Sequence, residues 1–284
     1  NFSTHCQWIT RIYSGTRKDL VDQMTATKAI RPENVQSLHR GMEILKSFNR
    51  ETPRLTLTEV ATITGLSRAT ARRFLITLTN LGYVGNQNRY FYLRPKILEL
   101  GNSYLSSLSF NDAIQQHLNG LAEELHESVS ASVLEYPDIV YVARASTNRV
   151  MTIGLSVGTK LPALYTSMGR VMLAQLPPTK LKDYLEQAHI EKLTEFSVTN
   201  KKSLHSEIEK ARTQGWYLLD QELEIGLRSL AVPIGTHIND TYAAINVSVP
   251  ASRVSIKTLQ SLILPRLQNL ATIIDRDILK LWPN

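Results

Sequence analysis

Between residues 35 and 48, apolar side chains recur at Leu38, Met42, Leu45 and Phe48, with Ile44 beside them, a spacing that predicts an amphipathic helix. Pro53 interrupts the pattern. Thr56 then stands three residues before Glu59, an arrangement in which each side chain satisfies a free N–H at a helix start, so a second helix is expected through Val60, Ala61 and Ile63. Gly65 can adopt a positive φ after that helix, Leu66 is apolar for a shared core, and Ser67 is a good N-cap for the next helix. Residues 64–67 thus predict a tight turn. The third helix is expected over about 68–81, with Ala71, Phe74, Leu75 and Leu78 buried and Arg68, Thr70, Arg72, Arg73 and Thr77 facing elsewhere. Gly82 ends it. Two short β-runs, Tyr83-Val84 and Tyr90 to Leu93, joined by residues 85–89, predict a hairpin. Three helices followed by a hairpin is the order of a winged helix-turn-helix, in which the last helix enters the major groove and the wing lies along the backbone.

After Pro95, Ile97, Leu98, Leu100, Tyr104, Leu105 and Leu108 make an amphipathic stretch, a linker helix over 96–109. Ile114, Leu118, Leu121 and Leu125 then form one face of another helix, which Asn111 or Asp112 can cap. Beyond it the period changes to that of strands. Residues 129–135 and 139–145 predict a hairpin around Tyr136-Pro137-Asp138, and 151–155 a third strand. Helices follow at about 168–176, 178–188 and 203–214, strands at 216–220, 228–234 and 241–249, and a last helix at 255–280. Helices and strands mix without regular βαβ alternation, so an α+β domain with a mostly antiparallel sheet is expected. The division predicted is an N-terminal extension (1–34, with no function assigned), an all-α winged helix-turn-helix with a small β-wing (35–95), a linker helix (96–110) and a C-terminal α+β domain (111–284).

Charge sharpens this picture once it is placed along the chain. The whole sequence of 284 residues carries +7, and residues 31–96 alone, with eleven Lys or Arg against four acids, also carry +7. A localised positive field suits a module that neutralises phosphates and releases their counterions. With 43% hydrophobic and 20% charged residues, and no apolar run near the roughly 20 residues of a membrane span, no membrane association is expected. The first fifteen residues lack a basic stretch followed by an apolar one, which predicts a cytoplasmic location. Cys6 is the single cysteine, so neither a disulfide framework nor a multi-cysteine zinc site is expected.

Arg68, Thr70, Arg72 and Arg73 fall in the first two turns of the third helix, where an inserted helix meets base edges and flanking phosphates, and Ser67 caps it. Arg54 and Arg89 are candidates for backbone contacts. In the second domain a helix starting near Ser167 is expected to direct free N–H groups of Ser167, Met168 and Gly169 outward, which favours an anionic group; an ordinary capped helix is the alternative. Asn246 and Ser248, two apart on a strand, share a sheet face, with Asp220 and Ser229 on neighbouring strands. Enzyme motifs are missing: no G-x-S-x-G elbow, no G-x-G-x-x-G or G-x-x-x-x-G-K-[ST] loop and no H-E-x-x-H occurs, and the seven histidines are dispersed. No catalytic residue, metal ligand or cofactor is predicted, although an enzyme acting on an aromatic acid and an architectural DNA-binding protein without effector remain as alternatives.

Leu66 to Leu75 (LSRATARRFL) and Leu81-Gly82-Tyr83-Val84 resemble the winged-helix domain of IclR-type transcription regulators, in particular the branch controlling aromatic-acid catabolism through the β-ketoadipate pathway. Gly158 to Ala163 (GTKLPA), Thr166 to Arg170 (TSMGR), Gly226-Leu227-Arg228, Leu230 to Pro233 (LAVP) and Ala243 to Pro250 (AAINVSVP) resemble the signatures of that family's effector domain, in the family's order. The resemblance implies a GAF-like effector domain and a homodimer, often a dimer of dimers. It further implies double-stranded promoter DNA as partner and a small aromatic carboxylate, protocatechuate first among guesses, as effector. It places that effector among Ser167, Met168, Asp220, Ser229, Asn246 and Ser248, with Gly169 beside them and Tyr141, Arg144, Tyr165 and Arg228 as weaker contacts. Met168 stands where the family often has a smaller residue, which favours contact through its backbone N–H.

Overall fold

A computed structural model of the chain describes residues 35–107, 111–146, 155–238 and 241–281. It divides into two compact units, residues 1–103 and 104–284.

The first unit is a three-helix bundle with a β-wing. Helix α1 spans Gln36–Lys46. A two-residue strand β1 (Leu55–Thr56) leads into α2 (Leu57–Thr64), and α3 runs Arg68–Asn80. The expected local chemistry is present. Thr56 and Glu59 form the capping box at α2, and the backbone and side-chain hydrogen bonds from Thr56 hold the Glu59 carboxyl below its ordinary pKa. Gly65 takes φ 64° in the turn, a left-handed conformation costly to a side chain, and Ser67 Oγ accepts from the Thr70 N–H. The core holds Ile44, Phe48, Leu55, Val60, Ala61, Ala71, Leu75, Leu78 and Val84.

One expectation is corrected in α1. The side chain driven into the core is Ile44, fully buried, whereas Leu38 and Met42 stand 66% and 41% exposed. The wing is β2 (Val84–Gln87) paired antiparallel with β3 (Tyr90–Leu93), so the loop is two residues, Asn88-Arg89, with Asn88 at φ 59°. Strand β1, which no periodicity announces, pairs with β3 and makes the wing three-stranded. A 3₁₀ turn (Pro95–Ile97) precedes α4 (Leu98–Ser107). Of the apolar linker face, Leu98 and Tyr104 are 70% and 44% exposed; the side chains of Leu105 and Leu108 lie outside the described residues.

The second unit is built on one antiparallel sheet. Its elements are α5 (Asn111–Leu125), β4 (Ser128–Glu135), β5 (Asp138–Ala145), β6 (Lys160–Pro162), α6 (Ser167–Leu173), α7 (Pro178–Gln187), α8 (Lys201–Gln214), β7 (Tyr217–Asp220), β8 (Leu227–Ile238) and β9 (Thr241–Pro250). A short helix α9 (Ile256–Thr258), a π-helical turn (Leu259–Ile263) and α10 (Leu264–Leu281) close the unit where one continuous helix is predicted. Pro265, lacking an N–H, stands just past the π-helical turn. The strand predicted at 151–155 lies, but for Leu155, outside the described residues; the described third strand is β6.

The sheet order is β6-β5-β4-β9-β8-β7. Side-chain alternation sends Val129, Ala131, Val133, Leu230, Val232, Ile245 and Val247 to one face, where they pack with Ile114 and Leu118 of α5 and Leu267 and Ile274 of α10. The opposite face carries Ile139, Tyr141, Leu219, Ala231 and Ala244 against Met168, Val171 and Met172 of α6 and Leu204 and Ile208 of α8. This second face also carries Ser130, Ser132, Ser229 and Asn246, all buried.

Candidate nucleic-acid interface and effector site

Helix α3 turns its basic residues away from the core on two sides. Arg68, Arg72, Ile76 and Thr79 recur at three- and four-residue steps and, with Asn80, face a groove of about 670 Å³ whose far wall is the wing residues Asn86, Asn88 and Arg89 and the start of α2. Arg73, with Thr70 and Thr77, faces the other way, into a groove of about 360 Å³ shared with Gln36, Ser37 and Arg40 of α1. Arg68, Arg72 and Arg73 are all exposed, and no ion pair to them occurs among the described residues. On the wing side the other cations are braced by rings: Arg54 lies over Tyr92 at 5.9 Å, and Arg89 over Tyr90 at 5.2 Å while donating to its hydroxyl at 3.1 Å. Ser67 is committed to capping, its Oγ bound to both the N–H and the hydroxyl of Thr70.

In the second unit the register sets Ser229 of β8 opposite Ser248 of β9. Asn246, two residues along β9, stands opposite Ser130 of β4. These side chains join α6 in one hydrogen-bonded cluster: Ser167 Oγ lies 2.6 Å from Ser229 Oγ, and Asn246 Nδ2 donates to Ser229 Oγ at 2.8 Å and to Ser248 Oγ at 3.1 Å. Met168 is fully buried and its Sδ accepts from Ser132 Oγ at 3.2 Å. Asn246 Oδ1 is buried with no hydrogen-bond partner among the described residues. An unpaired buried carbonyl costs about 1–3 kcal/mol, so this end of the amide is an unsatisfied hydrogen-bond acceptor in the cluster.

Other predicted contacts are otherwise engaged. The Gly169 N–H is not free: Thr166 Oγ1 caps it at 3.0 Å, so α6 begins as an ordinary capped helix. Gly169 instead serves packing, because a Cβ there would drive into the carbonyl oxygen and Cα of Ala163. Gly169→Ala is expected to lower the stability of this unit by about 1–3 kcal/mol, read as a lower Tm with the winged unit unaffected. The Tyr165 hydroxyl accepts from the Glu191 N–H and donates to His189 O, anchoring the 189–191 segment, and burial raises its pKa. Asp220 pairs with Arg228 (2.7 Å), which also donates to the carbonyls of Ala251 and Val254. Arg144 donates to Leu155 O at 2.8 Å, and burial pulls its pKa below the ordinary arginine value. The structure thus brings Ser167, Met168, Ser229, Asn246 and Ser248 together and ties Asp220 and Tyr165 to other partners.

A feature that sequence inspection left without a role lies beside the cluster. Arg170, fully buried, is held by both carboxylate oxygens of Glu222 (2.7 and 2.6 Å), by the Tyr217 hydroxyl and by Leu164 O at 2.9 Å. Burial alone would pull the Arg170 pKa down, but Glu222 and Tyr217 more than offset it, so the guanidinium stays charged. Every residue of the run SMGRVML is buried, and an arginine without an exposed face was the available sign that it needed an acid elsewhere in the chain.

Comparison with known proteins agrees with this architecture. Residues 37–87 match the IclR helix-turn-helix domain, and residues 102–276 match the domain described as bacterial transcriptional regulator IclR C-terminal. The Pca regulon regulatory protein of Pseudomonas putida is 40% identical over 235 residues, covering 82% of this chain and 81% of that one. A solved structure of a transcriptional regulator from Rhodococcus sp. RHA1 is 49% identical, covers 87% of this chain and all of its own, and superposes with a TM-score of 0.79. The inducer-binding domain of PobR from Acinetobacter, a double mutant solved with 3-hydroxybenzoic acid, is 29% identical, covers 58% of this chain and 96% of its own, and gives a TM-score of 0.54. The chain therefore belongs to the IclR family of bacterial transcriptional regulators, with a DNA-binding helix-turn-helix ahead of an effector domain.

Proposed function

We propose that this regulator controls genes of aromatic-acid breakdown and responds to a small aromatic carboxylate bound at the Ser167–Ser229–Asn246–Ser248 cluster. The observation that carries the ligand site is the buried Asn246 amide, satisfied at one end by two serine hydroxyls and open at the other. Three hydroxyls and an amide converging inside an apolar shell of α6, α8 and the sheet form the pattern of a site that fixes a ligand's orientation by a few polar contacts. Each hydroxyl can donate to a carboxylate, and the open Asn246 Oδ1, which only accepts, suits a donor such as the phenol O–H of a hydroxylated acid. The hydroxybenzoic acid held by the PobR domain supports an acid of this size and chemistry. Protocatechuate is the first candidate, and Arg144 of β5, desolvated by burial, is the cation proposed for its carboxylate.

On the DNA side, α3 reads the major groove through Arg68 and Arg72, with Arg54 and Arg89 holding the flanking backbone. The exposed apolar residues Leu38 and Met42 on α1, together with Leu98 on α4, are the surface through which two chains pair, and such dimers pair again into tetramers. No helix of the described residues is long and apolar enough to cross a membrane, and the cytoplasm is the compartment proposed. The family is one of regulators, so catalysis on the aromatic acid is set aside.

The ligand assignment is tested by calorimetric titration of protocatechuate, 4-hydroxybenzoate, 3-hydroxybenzoate and benzoate into the parent chain and into Asn246→Leu and Ser248→Leu. Saturable binding by the parent, lost in both variants while DNA binding persists, is expected. Unaltered titrations in the variants would refute the pocket.

A further inference from the structure

The recognition helix is flanked by basic residues on both sides, and of the residues the sequence sends to DNA, Thr70 and Arg73 lie on the side away from the wing. Helix α1 and the outer side of α3 enclose the second groove, lined by Gln36, Ser37, Arg40, Thr70, Arg73 and Thr77. Arg40 and Arg73 both face it, and neither forms an ion pair among the described residues. Two guanidinium groups without acidic partners lining one groove make it a favourable place for an anion. On α3, Arg72 and Arg73 are one residue, about 100°, apart around the axis, so they diverge toward opposite walls of whatever groove the helix enters. A major groove about 12 Å wide is bounded by two phosphate strands, and the wing stands on only the Arg68–Arg72 side of α3.

We propose that Arg40 and Arg73 form a second phosphate clamp, gripping the DNA strand on the side of α3 opposite the wing, with the Ser37, Thr70 and Thr77 hydroxyls as supporting donors. This rests on the DNA-reading role of α3. Both arginines act as positioning cations on backbone phosphates and carry no base preference. The apolar residues Leu38 and Met42 lie roughly 100–240° around α1 from Gln36, Ser37 and Arg40, so the clamp and the apolar surface do not compete for the same side of the helix.

The test uses the full chain, a duplex selected by it from a random library, and a scrambled duplex of equal length. Arg40→Ala and Arg73→Ala are expected to weaken binding to both duplexes by the same factor. Each should also reduce the slope of log affinity against log salt by about 0.9. Arg40→Lys should restore that slope. Methylphosphonate substitution of single phosphates should reveal a position on the strand away from the wing at which neutralisation weakens the parent but not the Arg40→Ala, Arg73→Ala double variant. Unchanged affinity and slope in both single variants would overturn the clamp, as would a loss confined to the selected duplex, which would make these residues base readers. A parent chain that selects no duplex would overturn the reading of α3 itself, and the clamp with it. Thermal melting of each variant alongside the parent separates loss of contact from loss of fold.

Discussion

Arg72→Ala is expected to weaken operator binding by about 1–3 kcal/mol, roughly 5- to 150-fold in Kd, and to relax the preference at one base pair. Its side chain lies in the groove between α3 and the wing, exposed and without an acidic partner among the described residues, so its removal leaves no buried group unsatisfied and costs little folding stability. Arg68→Ala should behave similarly one turn earlier. Effector affinity, measured on the same preparations, should be nearly unaltered, because the residues of the Asn246 cluster belong to the other unit. Equal binding by variant and parent to matched and mismatched duplexes in a shift assay would remove Arg68 and Arg72 from the base-reading role.

The largest effect on stability is expected at Glu222. Glu222→Ala leaves the Arg170 guanidinium fully buried with its charge uncompensated, at a cost of about 3–5 kcal/mol. For a unit of this size that corresponds to a Tm lower by roughly 6–20 °C. Removing both partners, as Arg170→Met with Glu222→Leu, should cost less than Glu222→Ala alone, because no buried charge is left behind. A double variant less stable than the single would mean that the pair itself, and not the orphaned cation, carries the stability. Glu222 Oε2 also accepts from the Val198 N–H at 3.2 Å, a bond the single variant loses, whereas the bond from Ser197 Oγ to the backbone carbonyl of Glu222 at 2.8 Å is kept, so loosening of the 193–199 segment should be centred on Val198.

Local chemistry made much of the winged unit legible. A capping box, a glycine in the left-handed region and a serine N-cap act within four residues, and each performs in the structure the role its spacing predicts. What eluded the sequence depends on long-range partners. Leu38 and Met42 share a spacing with Leu45 and Phe48, but only the side of α1 toward α2 and α3 is covered; Ile44 sits there and Phe48, just past the helix, is buried too, while Leu38 and Met42 are not. Strand β1 is two residues long and owes its existence to the wing strand it pairs with, 36 residues away at Leu55 and Phe91. In the second unit the alternation along β8 and β9 was readable, and with it the shared face of Asn246 and Ser248. The partners of Asp220, Tyr165 and Arg170 were not, because Arg170 and Glu222 are 52 residues apart and nothing local to either names the other.

For occupancy of the proposed Asn246 site to change how firmly α3 holds DNA, the acid must bind one arrangement of the chain more tightly than another. The direct measurement is the anisotropy of a labelled selected duplex, titrated with the full chain at increasing protocatechuate. The expected result is an operator Kd that moves saturably with the acid, with a midpoint matching calorimetric binding, and that stays fixed in Asn246→Leu. An operator Kd that is the same at every concentration of an acid shown by calorimetry to be bound would contradict it.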